Sequence, residues 1–268
     1  MRALAERYRF RDKVVWITGG GGGIGAALAR DAASRGAQVA VTDIDGEAAT
    51  RIANELGTHA AAWRSDVTDF ADCQRVAGAI QERFGGIDVL INNAGVTHLS
   101  RFRDTPPEVI ERVLRINVMG AVHCTKAALE PIIERRGRIA ALSSVAGIGP
   151  LLGRTGYSAS KHALHGFFDS LRAELTDTGV GVTLICPSFA NTDIGKHALF
   201  ADGDAESART MTGPVTTPEA IAAALLDGIE RGVWTVLPGR VSKLAWWLSR
   251  NAPRFYSARM RARLEGTR

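Results

Sequence analysis

Five consecutive glycines, Gly19 to Gly23, separate a short apolar run from a helical stretch, and this feature constrains the fold more than any other. Residues 13–18 are typical of a buried strand, 24–35 of a helix, and 36–43 of a second strand that ends on an acid. Strand, glycine-rich turn, helix and strand form a βαβ unit of the length found in dinucleotide-binding halves. Glycines let the backbone approach a ligand, and a helix N-terminus presents unpaired N–H groups to a pyrophosphate. The alternative is a flexible turn. Five glycines in a row fit several spacing templates at once, so their exact spacing carries little information.

The same alternation of strands and helices continues along the chain. We predict helices at about 46–56, 70–84, 108–136, 157–178 and 218–231, and strands at about 60–64, 89–92, 138–143, 181–186 and 234–237. A polar loop at about 191–217 precedes the last helix. Strands rich in Val and Ile that alternate with helices predict the α/β class, a doubly wound parallel sheet of about seven strands. With no linker or further internal repeat, residues 1–268 are interpreted as one domain.

Asp43 lies at the end of the second predicted strand, eighteen residues past Gly25. An acid at this position accepts hydrogen bonds from the ribose hydroxyls of adenosine and repels a 2′-phosphate. Neither Gly22 nor Ile44 is a cation that would hold such a phosphate. The sequence therefore favours NAD over NADP, and the alternative is a solvated aspartate in a turn.

Tyr157 and Lys161 are four residues apart, and Ser144 precedes Tyr157 by thirteen residues. Positions i and i+4 project from the same face of a helix, so the phenol and the ammonium share one patch. A neighbouring cation lowers the pKa of a tyrosine from about 10, and lowering that pKa by one corresponds to roughly 1.4 kcal/mol. We expect a lowered Tyr157 pKa and a general acid/base, whereas the alternative is an ordinary helix face.

Charge and cysteine content exclude several classes of protein. The segment 240–268 holds eight basic residues and one acidic residue, so its charge of +7 leaves −2 for the other 239 residues of a chain whose net charge is +5. A DNA-binding domain spreads basic residues over a docking face, so nucleic-acid binding is a poor interpretation.

Three scattered cysteines indicate reduced thiols and a cytoplasmic location. The six histidines lack metal-ligand spacing, so no metal site is expected.

Short motifs in a fixed order point to a family. They are Thr18-Gly19, Gly23-Ile24-Gly25, Asp66-Val67, Asn92-Asn93-Ala94-Gly95, Asn117, Ser143-Ser144, Tyr157 to Lys161, Pro187 and Thr192. With these motifs the chain resembles the short-chain dehydrogenase/reductase family, in its three-glycine Tyr-x-x-x-Lys branch. The resemblance covers about residues 12–238 and implies a single Rossmann-like domain followed by a basic extension at 240–268.

The resemblance implies a role for each catalytic residue. Tyr157 would be the general acid/base, and Lys161 would lower its pKa and hold the nicotinamide ribose. Ser144 would donate a hydrogen bond to the substrate oxygen, and Asn117 would anchor a water of the proton relay. The implied chemistry is hydride transfer between NAD(H) and a secondary alcohol or ketone.

The resemblance also implies the cofactor contacts. These are Gly19, Gly22, Gly23, Ile24, Gly25, Asp43, Asp66, Val67, Asn93, Ala94, Gly95, Tyr157, Lys161, Pro187 and Thr192. Asp66 and Val67 would contact adenine, and Thr192 the carboxamide. One departure is Ser188, where the family usually has glycine after Pro187.

The expected substrate is an apolar secondary alcohol or ketone, because residues 160–193 are similar to members that act on bulky apolar alcohols. Leu151, Leu152 and Phe189 would line its pocket, although they would suit a core equally well. One rival is an NAD-binding sensor or scaffold without turnover. Another is an epimerase or dehydratase that retains NAD, although those relatives usually carry a longer chain with a substrate domain.

The family also implies a homodimer or homotetramer, with contacts on the Asn117 and Tyr157 helices that include Phe167, Phe168 and Leu171. In the basic extension, Leu244, Trp247 and Leu248 fall on one helical face. Such a segment suits an anionic membrane surface, the substrate cleft or a neighbouring subunit.

Overall fold

The computed structural model describes residues 7–188 and 216–265, with side chains as far as residue 262. Within these ranges all seven strands form one parallel sheet in the order β3-β2-β1-β4-β5-β6-β7. The strands are β1 Val14–Thr18, β2 Gln38–Asp43, β3 Ala60–Arg64, β4 Val89–Asn92, β5 Arg138–Leu142, β6 Gly181–Ile185 and β7 Thr235–Val236. The predicted doubly wound α/β fold is thereby confirmed.

Helices connect the strands and cover both faces of the sheet. They are α1 Gly23–Ser34, α2 Gly46–Leu56, α3 Phe70–Phe84, α4 Pro107–Leu114, α5 Gly120–Glu134, α6 Thr155–Glu174, α7 Pro218–Glu230, α8 Gly239–Asn251 and α9 Pro253–Glu265.

The central strands are apolar on both sides because each side packs against a layer of helices. Every residue of β1 is buried. Val15 and Ile17 belong to one core cluster, whereas Val14 and Trp16 belong to the cluster on the opposite face. This division follows the two-residue period of a strand. A strand buried on both faces is therefore continuously hydrophobic, as expected for a parallel sheet.

The chain reverses its direction of winding between β1 and β4. Strands β1, β2 and β3 extend one way across the sheet, and β4 to β7 extend the other way. In open α/β sheets, ligands bind in the crevice at the carboxyl ends of the strands, at this switch point. The glycine turn follows β1, and Asn93 to Gly95 follow β4, so both predicted motifs lie at this crevice.

The predicted helix at 108–136 is wrong as one continuous α-helix. A π-helical turn at Arg115–Met119 separates α4 from α5. The buried Asn117 lies inside this turn, and its side chain bonds both backbone polar groups of Val96. Single π turns occur frequently at functional sites. The apolar residues keep a helical spacing from α4 to α5, so the sequence pattern does not reveal the extra residue of the π turn.

Two of the expected subunit contacts are wrong. Phe168 is fully buried and Leu171 is buried, and both belong to the core between the sheet and its helices. Phe167 is half-buried and packs against the same core. These side chains therefore stabilise the monomer itself.

The basic extension forms α8 and α9. Leu244 and Trp247 are 57% and 56% exposed, whereas Ser242 and Ala245 on the other side of α8 are buried. Leu248 is half-buried. Among the residues described, no helix combines the length and the apolar character that crossing a bilayer requires.

Candidate active site

The structure shows which glycines of the run are constrained. Gly19 and Gly23 have φ values of +63° and +52°, a region that favours glycine. A Cβ on Gly25 would overlap the carbonyl oxygen of Gly19, so the turn and the helix pack too closely for any side chain. Gly22, in contrast, has open space around its Cα. A Cβ on Gly20 or Gly21 would lie 2.7 Å from the Val41 or Ala48 side chain, so the constrained positions are Gly19, Gly20, Gly21, Gly23 and Gly25.

The N-terminus of α1 is open toward the crevice. Gly22 precedes the helix, no described side chain caps it, and its first turn, which includes the half-buried Ile24, contains no acid. The first N–H groups of a helix have no partner within the helix and carry the positive end of its dipole. This end of α1 fits a pyrophosphate group.

Asp43 closes the other side of the glycine turn. Its Oδ2 accepts a hydrogen bond from the Gly21 N–H at 2.9 Å, and its Oδ1 accepts one from the Asp45 N–H at 3.1 Å. Ile44 is 55% exposed. The carboxylate is thus fixed at the end of β2, beside the turn, where the sequence predicts it. Arg64 aligns with Asp43 in the β2–β3 register, so a basic residue lies on the neighbouring strand.

Asp66 and Val67 follow β3. Burial raises the pKa of Asp66, but hydrogen bonds from the hydroxyl and the N–H of Thr68, with the charges of Arg64 and Arg115, lower it below its usual value overall. Val67 is buried, and its carbonyl oxygen lies 3.0 Å from Nδ1 of His123. The Asp66 carboxylate therefore accepts its hydrogen bonds from Thr68, within its own turn.

Asn93 and Ala94 bind the glycine turn to the end of β4. The Asn93 amide donates to the carbonyl oxygens of Thr18 and Gly19, both at 2.8 Å. The Thr18 hydroxyl accepts from the backbone N–H groups of Asn93 and Ala94, both at 3.1 Å. Asn93 therefore shapes the turn, and the part played by Thr18 was missed at the sequence level.

The side chains of Tyr157, Ser144 and Lys161 lie close together beyond the end of β5. Tyr157, Ser144 and Lys161 are 9%, 8% and 5% exposed, respectively. Ser144 lies close enough to Tyr157 to favour the phenolate, and Lys161 Nζ lies 5.6 Å from the centre of the Tyr157 ring. The Lys161 ammonium donates to the Leu142 carbonyl oxygen at 2.7 Å. A buried phenol, hydroxyl and ammonium thus share one small volume.

The prediction that the pKa of Tyr157 is lowered is wrong. Burial raises the pKa of Tyr157, and the nearby Ser144 hydroxyl and the charge of Arg154 offset this only in part. Burial also lowers the pKa of Lys161 to about 8. Each group resists being charged because water is excluded from both.

Asn117 joins the site to the neighbouring loop. Its amide donates to the Ser160 hydroxyl and to the Val96 carbonyl oxygen, each at 2.9 Å, and the Val96 N–H donates back to its Oδ1 at 2.8 Å. Ser160 in turn donates to the Tyr157 carbonyl oxygen at 2.7 Å. A Cβ on Gly95 would lie 3.1 Å from Asn117 Oδ1 and 3.7 Å from Lys161 Nζ. The missing side chain of Gly95 therefore leaves space beside both groups.

Sequence reasoning missed two residues at the start of α6. His98 is fully buried, and its Nε2 accepts a hydrogen bond from the Gly156 N–H at 2.9 Å. Arg154 precedes α6, and its charge acts on both Tyr157 and His98. Its position three residues before Tyr157 was a usable signal, whereas no motif points to His98.

The last predicted contacts follow β6. Pro187 is buried, and its carbonyl oxygen accepts a hydrogen bond from the Val145 N–H at 3.0 Å, which ties β6 to the Ser144 turn. Ser188 is half-buried. Thr192 and Phe189 lie outside the described residues. Leu151 is half-buried and packs with Val113, Ala146 and Tyr157, and Leu152 is 38% exposed.

A sequence model described as "short chain dehydrogenase" matches residues 13–201. The chain belongs to the short-chain dehydrogenase/reductase family. It is 38% identical over 237 residues to the Bos taurus protein "Dehydrogenase/reductase SDR family member 7B", covering 83% of this chain and 73% of that relative. The family assigns the chain to the oxidoreductases.

Solved structures of the short-chain dehydrogenase/reductase family share the fold. A member from Burkholderia phymatum in complex with NAD has a TM-score of 0.80 at 26% identity, covering 90% of this chain and 94% of that one. A 3-ketoacyl-(acyl-carrier-protein) reductase from Brucella melitensis complexed with NADH has a TM-score of 0.75 at 27% identity, covering 84% and 95%. Both are likenesses of fold and of family.

Proposed function

We propose that this short-chain dehydrogenase/reductase transfers a hydride between NAD(H) and a secondary alcohol or ketone with an apolar body. The observation that supports this proposal is the buried contact of Ser144 with Tyr157, next to Lys161, at the carboxyl end of β5. The half-buried Leu151 beside Tyr157 supplies an apolar wall.

The residues at the crevice fit a nicotinamide dinucleotide. The uncapped start of α1 would hold the pyrophosphate, and Asp43 would accept hydrogen bonds from the adenosine ribose. Gly95 leaves room beside Lys161, which would hold the nicotinamide ribose. When bound, the nicotinamide supplies the hydride chemistry. The two related structures, one in complex with NAD and the other with NADH, support this class of cofactor.

The protein contributes orientation and proton transfer. Ser144 would donate a hydrogen bond to the substrate oxygen, and the Tyr157 hydroxyl would exchange a proton with that oxygen. A raised Tyr157 pKa keeps the phenol protonated near neutral pH, which suits the donation of a proton to a ketone. Asn117, bonded to Val96 and Ser160, would hold the helix turn and the water of the relay in place.

One screen separates this proposal from its rivals. NAD and NADP reduction is measured against a panel of secondary alcohols, and cofactor retained on the purified protein is quantified. Net NADH formation supports the proposal. Tightly retained NAD without net NADH formation favours an epimerase or dehydratase, and exchangeable NAD binding without turnover favours a sensor or scaffold.

We also infer a cytoplasmic homodimer or homotetramer that assembles through α5 and α6. Met119, just before α5, is 43% exposed, and the exposed face of α6 carries Ala159, Ala163 and Gly166. Small side chains allow two helices to approach closely, which supports helix pairing between subunits.

We further propose a peripheral membrane contact through 240–268. Within the described part of this segment, Val241, Leu244, Trp247 and Phe255 are between 36% and 58% exposed. Residues 240–262 contain six basic side chains and no acid. Exposed apolar side chains among cations favour the surface of an anionic bilayer.

A further inference from the structure

Arg154 joins the start of α6 to the loop that follows β4. It immediately precedes α6, three residues before Tyr157, and its charge acts on Tyr157. The guanidinium is half-buried, and its Nη1 donates a long hydrogen bond, 3.4 Å, to the Thr97 hydroxyl. No carboxylate in the described part of the chain forms an ion pair with it.

Other half-buried arginines in the described part of the chain have stronger partners, such as the three carbonyl oxygens that accept from Arg138 Nη1. Arg35 contacts three carboxylates within 3.3 Å, and Arg172 contacts Asp169. Arg154 departs from this pattern, although an arginine stays charged and presents five N–H donors. A partly buried cation without an anion is unfavourable, and an anionic ligand would relieve that cost.

The neighbours of Arg154 do not neutralise it. His98 has its Nε2 committed as an acceptor to the Gly156 N–H, and Thr97 is a neutral hydroxyl. Burial lowers the pKa of His98, and the charge of Arg154 lowers it further. The imidazole is therefore neutral, and neither neighbour offsets the positive charge of Arg154, which acts on Tyr157.

We propose that Arg154 binds an anionic oxygen group, a carboxylate or a phosphate, that the substrate carries close to its reacting carbon. This inference rests on the proposed function and narrows its substrate to an apolar alcohol or ketone with an acidic group. The planar guanidinium pairs with two oxygens of such a group, which orients the substrate as well as attracting it. Leu151, on the same segment, would contact the apolar part.

The test compares matched charged and neutral ligands. Wild type, Arg154→Gln, Arg154→Lys and Arg103→Gln are assayed with 3-oxodecanoate and with methyl 3-oxodecanoate. Decanoate, decyl phosphate and decanol are measured as ligands by calorimetry, which does not require turnover and separates carboxylate from phosphate. Arg103 is 81% exposed, so its variant removes the same charge outside the site.

We expect Arg154→Gln to lower the acid-to-ester ratio of kcat/KM by about 10- to 100-fold, mainly through KM, because a charge-assisted pair is lost. Binding of the better anion should weaken by a similar factor, and Arg154→Lys should recover part of both. Arg103→Gln should leave the ratio within about twofold, as expected for a screened surface charge.

Equal ratios in Arg154→Gln and Arg103→Gln, together with equal anion affinities, would overturn the inference. A wild type that binds decanol at least as tightly as both anions would overturn it too. If neutral ketones are still reduced and reduction requires Tyr157, only the anion site fails. If turnover does not require Tyr157, the proposed function fails.

Discussion

Burial decides the electrostatics of individual residues in this site. Lys161 is 5% exposed, and its pKa falls to about 8 because the charged ammonium is desolvated. An unfolded lysine binds its proton up to a pH of about 10.5. The folded state therefore binds fewer protons between pH 8 and pH 10.5, so the free energy of unfolding rises with pH across this window.

We predict that Lys161→Met stabilises the protein without cofactor at pH 7. The charged lysine costs about 3 kcal/mol at that pH, given its depressed pKa, and methionine removes this cost with little change of volume. Urea unfolding at pH 7 and pH 10 checks this. The difference between the variant and wild type should shrink as the pH rises. A difference that is constant with pH would contradict the account.

His98 positions Tyr157, the proposed general acid/base. Its neutral Nε2 accepts the Gly156 N–H at the beginning of α6, directly before Tyr157. We predict that His98→Leu lowers the free energy of unfolding by about 1–3 kcal/mol, since a buried N–H loses its acceptor. His98→Gln, which offers an oxygen at a similar reach, should recover part of the stability and of kcat. Equal losses in both variants would show that the hydrogen bond is unimportant.

At the scale of elements, the turn between β1 and α1 works together with the end of β2. We predict that Asp43→Ala combined with Ile44→Arg moves the cofactor preference from NAD toward NADP by at least about tenfold in kcat/KM. The change removes an acceptor for the ribose hydroxyls and adds a partner for a 2′-phosphate. Steady-state kinetics with both cofactors checks it.

The control is Glu47→Gln, which removes one exposed acid from the first turn of α2. It should leave the preference unchanged. An equal shift in the control would mean that general electrostatics, and not the position of Asp43, sets the preference.

The elements show what sequence alone can predict. Strand and helix positions were predictable because the central strands are continuously apolar and the glycine turn interrupts them. The π turn around Asn117 was not, because one extra residue leaves the apolar period almost unchanged. The Tyr157 pKa was predicted in the wrong direction, because spacing along a helix reports proximity of charge and does not report desolvation. His98 lies far from Gly156 in sequence and only the fold brings them together.

At the scale of the whole molecule, charge is concentrated at one end of the chain. We predict that the protein binds vesicles that contain anionic lipid, and that binding weakens as salt is raised. Leu244→Glu combined with Trp247→Glu should reduce binding at least about tenfold, since it places acids among the basic side chains. Vesicle sedimentation at two salt concentrations checks this.

Glu47→Gln provides a surface control for that experiment. Retained binding in the double variant, or binding that does not respond to salt, would contradict a peripheral contact and leave the exposed face of α8 to another partner.

The central claim about the whole enzyme depends on Ser144 and Tyr157, which lie buried at the carboxyl end of β5. Tyr157→Phe removes one hydroxyl from the site and leaves the ring, so cofactor binding should persist. The decisive measurement is the rate of NADH formation from a secondary alcohol by wild type and Tyr157→Phe, with NADH affinity measured alongside by fluorescence. The account predicts a loss of at least about 100-fold in kcat with NADH affinity within a few-fold, because proton transfer by a positioned group contributes about 10²–10⁴. Unchanged turnover in Tyr157→Phe would contradict it.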